Sequence, residues 1–377
     1  MDNEKGFGVV DNCVFAGMLI ISAVIGLYIS CKGSKSPEEF LMGNRSLKPL
    51  PVSLSLITSY VTAVSTIGYP AEVYANGLQI STLALGCPLA IIFSSYFLLP
   101  VLYSLKLTSI NEYIELRFKS KRLRFVIFLL SMAKALAANG IGLYAPTIAL
   151  SSFTNLSTLN SIFFLGIICT LYSSFGGIKA VIWTDVFQFS VIILGMMTVV
   201  GVGCAQNGGV IETLHIASEG GRLEMFNMSL SPFERHTFIN VMAFGFFYQL
   251  RMYSSEQVNI QRICAVKSVK NARSLCVCFI FSCGLVAYST YAGCDPMALG
   301  LIKKKDQILP YFVIDKLSFI PGLPGLFIAA AIGGALSTLS SNINSCRGND
   351  VERHFLKFAF FNNSSDGLRD SINQIKS

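Results

Sequence analysis

Small and hydroxyl residues line one face of an apolar segment near the end of the chain. Five hydroxyl side chains fall between residues 337 and 345, within the stretch GGALSTLSSNINS. A helix turns about 100° per residue, which places Gly334, Ser337, Thr338, Ser341 and Ser345 on one face. Hydroxyl and carbonyl oxygens replace the hydration shell of a hard cation, so this face is a candidate cation site. The alternative is packing, because such residues also let membrane helices approach closely and hydrogen-bond.

A second segment, SLSLITSYVTAVSTIGYP, is rich in Ser, Thr and Val and ends with Gly68 and Pro70. Because these residues are mediocre helix formers, the segment is a candidate for a broken helix. Unwound backbone is tolerated at membrane depth only where it lines a cavity or lies inside protein. In secondary transporters its free carbonyl groups coordinate the coupling ion. An ordinary β-branched spanning helix is the alternative interpretation.

Four ionisable residues lie in or near apolar spans, where such groups are costly and are functional candidates by default. Asp185, in GGIKAVIWTDVFQFS, has polar neighbours that include Gln188, and it is a candidate for a role in ion passage. Glu72 and Arg251 lie close enough to helix ends to reach the membrane surface. Lys134 has no evident partner. The three histidines lie outside the spans without metal-ligand spacing, and no catalytic constellation is evident, so the sequence predicts no enzyme.

The composition indicates a polytopic membrane protein. The chain has 377 residues, of which 53% are hydrophobic and 13% are charged, whereas soluble domains carry about 25% charged residues. The net charge of +8 does not indicate nucleic-acid binding, because the basic residues sit in short loops between apolar spans. The 11 cysteines show no disulfide framework. A bridge between Cys204 and Cys294 is the one pairing considered.

Apolar runs long enough to cross a bilayer recur along the chain. We predict nine spans, with boundaries near 9–31, 50–74, 81–105, 124–150, 158–175, 180–205, 236–256, 274–293 and 322–345. The polar segment 346–377 contains no spanning run and is predicted to be a tail outside the transmembrane domain of residues 1–345.

Basic residues in alternate loops predict the orientation of the spans. The loops 32–49, 106–124 and 257–273 are rich in Lys and Arg and are predicted to be cytoplasmic, which puts the N-terminus outside and the tail inside. The run KKKD departs from this rule. The glycosylation sequons at Asn155 and Asn227 fall on the predicted outer face, and Asn227 is the better candidate because its loop is longer.

Five blocks together resemble the sodium/solute symporter family, over residues 38–345. They are EEFLMGNRSLKPLPVSLSLITSYVTAVSTIGYPAEVYANG, LTSINEYIELRF, YSSFGGIKAVIWTDVFQ, QVNIQR and GLPGLFIAAAIGGALSTLSSNINS. PAEVY and the SLIxS block look closer to the multivitamin, monocarboxylate and iodide branch than to the sugar branch. The resemblance implies an all-α, leucine-transporter-type inverted-repeat bundle. Predicted spans two to six would form its first repeat and spans seven to nine part of its second, so the bundle would be incomplete.

The resemblance also implies site residues. The family's sodium site would take backbone carbonyl groups of Thr58, Val61 and Gly334 and the hydroxyl groups of Ser337 and Thr338. Asp185 occupies the family's acidic position near the sodium route. Two further residues, Tyr60 and Ser65, fall at positions that face the family's substrate cavity.

The resemblance implies sodium-coupled symport of a small organic solute, such as a vitamin or a monocarboxylate, across the plasma membrane. The sodium ion is the implied coupling ion, and a small-molecule solute and the lipid bilayer are the implied partners. A sugar or polyol is the alternative solute. The resemblance ends at Cys346, so the second alternative is a non-transporting, truncated membrane protein, from a splice form or an incomplete gene model. Such a chain would be idle, or it would bind and impair a full-length sibling.

Overall fold

The computed structural model describes residues 8–31, 49–98, 110–153, 157–231, 233–256 and 272–348. These residues form helices joined by turns and loops, and no β-strand occurs among them. The prediction of an all-α fold is therefore confirmed. The tail predicted at 346–377 lies almost wholly outside the described residues.

The described residues contain twelve α-helices. In chain order they are α1 (Val9–Cys31), α2 (Pro49–Tyr60), α3 (Ala63–Asn76), α4 (Leu83–Phe93), α5 (Ile110–Phe118), α6 (Lys121–Phe153), α7 (Thr158–Gln206), α8 (Val210–Glu219), α9 (Phe238–Ser255), α10 (Ala272–Thr290), α11 (Ile308–Leu317) and α12 (Leu323–Gly348). Short 3₁₀ helices cover Leu78–Thr82 and Lys305–Gln307, and a π-helical turn covers Ser94–Leu98.

Each of the nine predicted spans overlaps one of these helices or a helix pair. Among the described residues, five helical stretches are long and apolar enough to cross a membrane, and the bent pair α2–α3 raises the number to six. Two predicted spans contain shorter apolar helices, Thr158–Thr170 and Ile280–Thr290. The prediction of several apolar helices of spanning length is confirmed, and the number of nine stays a prediction.

The predicted break in the second span lies between α2 and α3, whose axes are bent by 54°. Thr62 caps α3, since its side chain accepts a hydrogen bond from the backbone N–H of Ser65 at 3.3 Å. The hydroxyl of Ser65 in turn donates to the carbonyl of Thr62 at 2.8 Å. Side chains that bond the nearby backbone compete with continuous helix. Gly68 and Pro70, which mark the end of the sequence pattern, lie inside α3 and do not form the break.

A kink divides α7 at Gly177. This glycine has φ 59° and ψ −164°, a conformation that side-chain-bearing residues rarely adopt. Residues on the two sides of the kink correspond to the fifth and sixth predicted spans. The kink directs the second part of α7, which carries Asp185, along α12.

Helix α12 is the most buried spanning candidate among the described residues. In its most apolar stretch 89% of the residues are buried, against 39% for the second part of α7. Gly195 of α7 lets the two helices approach closely, because a methyl group there would lie 2.8 Å from the methyl group of Ala330. The carboxylate of Asp11 in α1 caps the other end, accepting N–H bonds from Gly322 at 3.0 Å and Gly325 at 3.1 Å. The hydroxyl-rich part of α12 is thereby held in the core.

Candidate functional site

Helix α12 meets the break between α2 and α3 at Gly334. A Cβ atom on Gly334 would lie 2.7 Å from the carbonyl oxygen of Val61 and 3.1 Å from the backbone nitrogen of Ala63. Only glycine therefore fits without a shift of one helix. Because α2 ends at Tyr60, its helical hydrogen bonds stop there, and the last of them runs from the N–H of Val61 to the carbonyl of Ile57 at 3.1 Å. The structure thus brings together two residues that the sequence predicted for one site, Val61 and Gly334.

A buried carboxylate joins three helices beside this break. The hydroxyl of Ser337 on α12 donates to Oδ1 of Asp185 at 2.6 Å, and the hydroxyl of Ser55 on α2 donates to Oδ2 at 2.5 Å. All three residues are 0% exposed. A buried charge is costly unless it is hydrogen-bonded or paired. These hydroxyl donors offset part of that cost, and they fix the position of the carboxylate.

Two threonine hydroxyls lie on the helices that form the site. The hydroxyl of Thr58 donates to the carbonyl of Leu54 at 2.8 Å and lies 3.2 Å from the carbonyl of Asp185. The hydroxyl of Thr338 donates to the carbonyl of Gly334 at 3.0 Å. A hydroxyl that donates its proton in this way keeps its oxygen lone pairs available to another group. Carbonyl and hydroxyl oxygens with one carboxylate form a donor set that suits a hard cation.

Two buried residues take part here that the sequence did not predict as site residues. Ser55 is one, although its spacing of three residues from Thr58 places both on one face of α2. Gln188 is the other, one turn beyond Asp185 on α7. Its amide is fully buried, and neither amide atom has a hydrogen-bond partner in the part of the chain that the structure describes. Buried polar groups are normally bonded, so an unbonded amide one helical turn from Asp185 is consistent with a site for an ion or water.

The two predicted substrate residues have different surroundings. Tyr60 is half-buried, and its hydroxyl accepts a hydrogen bond from Nε2 of Gln249 on α9 at 3.0 Å. This bond connects the break to another helix. The hydroxyl of Ser65 bonds the turn at the break and therefore shapes the backbone there. Contact of either side chain with a solute stays a prediction.

Three ionisable residues in or near the predicted spans form ion pairs with residues outside the helices. Lys134 on α6 forms an ion pair with Glu256 at 3.0 Å, and Arg251 contacts the same carboxylate at 3.1 Å. The sequence showed no partner for Lys134 because the two residues of the pair lie 122 positions apart. Glu72 accepts two hydrogen bonds from Arg235, at 2.6 and 3.0 Å. These pairs explain the charges without a role in ion passage.

The remaining predicted positions that the structure describes belong to a loop or to other parts of the chain than the break. Asn227 is in the loop between α8 and α9, where its amide donates to Oε2 of Glu234 at 2.9 Å. Asn155 lies outside the described residues. Cys204 is buried and Cys294 is exposed, and both are free, so the bridge considered between them is not present.

The chain is similar to known membrane transporters over most of its length. The model of the sodium:solute symporter family matches residues 40–351. The chain is 39% identical over 368 residues to human sodium-coupled monocarboxylate transporter 1, which covers 93% of this chain and 60% of the relative. It is 38% identical over 358 residues to the human sodium/iodide cotransporter, which covers 92% of this chain and 56% of the relative.

A solved structure supports the same relationship. A Na⁺-coupled sialic acid symporter in a substrate-bound, outward-open state superposes with a TM-score of 0.80 and 25% identity, covering 91% of this chain and 74% of that one. The relatives agree with the predicted monocarboxylate and iodide branch and with the prediction of a transporter and not an enzyme. The chain spans about 60% of the length of the curated relatives it matches. Since the family model covers most of the chain, the chain belongs to the sodium:solute symporter family.

Proposed function

We propose that this chain carries out sodium-coupled symport of a small organic anion, by alternating access between the two sides of a membrane. One observation carries the proposal: a fully buried carboxylate, Asp185, bonds hydroxyls of α2 and α12 beside a break that Gly334 closes. Vitamins and monocarboxylates are the proposed solutes, because relatives at 38–39% identity transport monocarboxylates or iodide by name.

Sodium would be held between the two halves of the broken helix and α12. The carbonyl groups of Thr58, Val61 and Gly334 and the hydroxyls of Ser337 and Thr338 are the proposed ligands. Such oxygens replace water around the ion while only one carboxylate balances its charge. An ion that bridges α12 and the break stabilises the arrangement in which they touch, and we assign this arrangement to the outward-open state. The sodium gradient would thereby drive solute uptake.

Asp185 would act on the ion route and not as the sole ligand. Its two carboxylate oxygens are already oriented by Ser337 and Ser55, so a passing sodium ion meets a fixed negative charge. Preorganised charge in a water-poor site interacts more strongly than charge in bulk water. The unbonded amide of Gln188 provides further oxygen one turn along α7.

Uptake into proteoliposomes tests the proposal. Vesicles that contain the purified chain are diluted into sodium chloride or choline chloride, and uptake of labelled lactate, pantothenate, biotin and iodide is followed. We expect sodium-dependent uptake of at least one anion, abolished in Asp185→Asn. Labelled glucose and inositol test the sugar or polyol alternative. Absence of sodium-dependent flux for every solute, with folded protein in the vesicles, contradicts the symport proposal.

Association with a longer sibling is the other alternative. In this case the chain alone transports nothing, but co-expression changes the uptake by a full-length monocarboxylate relative. The same vesicle assay, with each protein alone and with both together, distinguishes the two proposals. Equal uptake by the relative with and without this chain excludes a regulatory role.

We further propose a plasma-membrane location with the N-terminus and the α8–α9 loop outside. Asn227 in that loop is half-buried and hydrogen-bonded, and it belongs to the sequon Asn-Met-Ser. In mammalian cells we expect Asn227→Gln to abolish the electrophoretic shift that glycosidase treatment produces. The predicted cytoplasmic tail holds two overlapping sequons, at Asn362 and Asn363. The double variant Asn362→Gln, Asn363→Gln is the control and should leave the shift unchanged. If Asn227→Gln keeps the shift and the double variant loses it, the predicted orientation is reversed.

A further inference from the structure

A cavity of about 540 Å³ lies at the end of α3 that is distant from the break. Three tyrosines, Tyr74, Tyr288 and Tyr291, form part of its walls. Charged residues also line it. The twelve residues from Thr62 to Tyr74 correspond to about 18 Å of helix, at 1.5 Å per residue. The cavity is therefore distinct from the proposed sodium site. Its volume falls within the usual range of small-molecule sites.

Arg222 is held rigidly in the wall of this cavity. Its backbone N–H donates to the carbonyl of Ala217 at 2.8 Å, and its own carbonyl accepts from the N–H of Leu78 at 2.8 Å. Its Nε donates to the carbonyl of Tyr74 at 3.0 Å, and its guanidinium carbon lies 4.6 Å from the ring centroid of Tyr288. These contacts fix both the backbone and the plane of the guanidinium group.

The two terminal nitrogens of Arg222 make no hydrogen bond to any residue that the structure describes. A guanidinium group presents these nitrogens as a planar fork, which matches the two oxygens of a carboxylate. Because the fork is already oriented, little side-chain entropy is lost when a ligand binds to it. The free part of Arg222 therefore has the geometry of a carboxylate receptor.

The other charges leave the cavity with a cationic excess. Asp295 is its one carboxylate, and this group already accepts hydrogen bonds from the hydroxyl of Tyr74 at 2.8 Å and the N–H of Met297 at 3.1 Å. Lys305 is exposed and lines the cavity as a second cation. The acid is thus partly satisfied, whereas both cations lack a carboxylate partner among the described residues. An anionic ligand is favoured over a cationic one.

The remaining walls are aromatic and aliphatic. Tyr291 is buried, and its hydroxyl donates to Oδ2 of Asp315 at 3.1 Å. Ile302 and Ile308 are buried and complete an apolar surface. Aromatic rings pack favourably on such walls.

We propose that this cavity is an accessory site for a small aromatic carboxylate. The carboxylate lies on the fork of Arg222 with Lys305 at the mouth, and the ring packs against Tyr288 and Tyr291. The site operates without sodium, because none of the proposed sodium ligands lines it. The molecule bound in this cavity is therefore distinct from the solute that is transported under the proposed function.

Equilibrium binding of labelled benzoate to the purified full chain, in sodium-free choline buffer, tests this site. We expect saturable binding that unlabelled benzoate displaces and that neutral benzamide displaces at least tenfold more weakly. Arg222→Lys keeps the charge and loses the fork, and we expect it to weaken binding at least tenfold. Lys305→Gln should weaken it severalfold. Lys303→Gln is the matched control, since Lys303 is also exposed but does not line the cavity.

Three outcomes overturn the proposal. The first is the absence of saturable benzoate binding by the wild-type chain, and the second is binding by Arg222→Lys as tight as wild type. The third is loss of binding in Asp185→Asn with retention in Arg222→Lys, which would place benzoate near the ion site. Because the assay contains no sodium, failure of sodium-dependent uptake leaves this test unaffected. Ala298→Phe fills the cavity without removing a charge, and it should also abolish binding.

Discussion

The two ends of α3 carry polar groups in opposite environments. At the break, the carboxylate of Asp185 and the hydroxyls that bond it are 0% exposed, and the oxygens nearby belong to neutral groups. At the other end, Arg222 and Lys305 border a cavity that opens to the surface. A site sealed from water suits a dehydrated cation held by uncharged oxygens, whereas an open one suits an anion attracted by full charges. Burial therefore decides which ligand chemistry each end supports.

The largest effect is expected from removing the negative charge at the break, which leaves the charges at the other end of α3 in place. Asp185→Asn removes the negative charge at the break and nearly preserves the size of the side chain. We expect the sodium concentration for half-maximal stabilisation to rise on the order of a hundredfold, about 2.7 kcal/mol of binding free energy. The measurement is Tm in a sodium series at constant ionic strength, since a ligand that binds the native state raises Tm. Arg222→Lys should leave the sodium dependence of Tm unchanged. An equal loss of sodium affinity in both variants would contradict the separation of the two ends of α3.

The next effect tests the close contact at the break. Gly334→Ala would place a methyl group 2.7 Å from the carbonyl of Val61. We expect a loss of about 1–3 kcal/mol in stability, because overpacking forces the helices apart. The fall in Tm without sodium measures it. Gly140→Ala on α6 is the control, since no atom lies within 4 Å of the added methyl group. Equal Tm values for the two variants would show that α12 does not press on the break.

A smaller effect is expected at the hydroxyls of α12. Ser337→Ala removes a hydrogen bond to Asp185, and we expect about tenfold weaker sodium dependence, near 1.4 kcal/mol. Thr338→Ala should change it less, because that hydroxyl bonds its own helix. Sodium-dependent uptake or Tm measures both variants. Thr198→Ala on α7 is the control, because Thr198 is half-buried and its hydroxyl also bonds its own helix. Unchanged sodium dependence in Ser337→Ala and Thr338→Ala refutes their assignment as ligands.

Much of the fold could be predicted because apolar length and period are local properties. The nine predicted spans overlap the observed helices, and the polar face of residues 334–345 lies on a single helix, α12. The break was also predictable from a run of Ser, Thr and Val. The position of the break was not predictable, because the sequence pattern ended at Gly68 and Pro70. In the structure the break lies before these two residues, where Thr62 and Ser65 bond the backbone. Several weak helix formers occur there, and local propensity alone does not select among them.

The partners of polar side chains could not be predicted from spacing. Ser55 lies 130 residues from Asp185 and Ser337 lies 152 residues from it, yet all three meet in the core. The same holds for Lys134 and Glu256. Hydrophobic periodicity says which face of a helix avoids lipid or water, but the angle and register between helices depend on packing.

The amino-acid sequence by itself determined the membrane class, the approximate spans, the hydroxyl face and the resemblance to a symporter family. Each of these follows from residue types and their local order. Only the tertiary structure decided that Gly334 touches Val61, that Asp185 bonds Ser55 and Ser337, and that Arg222 lines a cavity beside Tyr288. These contacts join residues that are distant along the chain. Helix packing brings them together, and the burial it creates decides how strongly their charges and hydroxyls act.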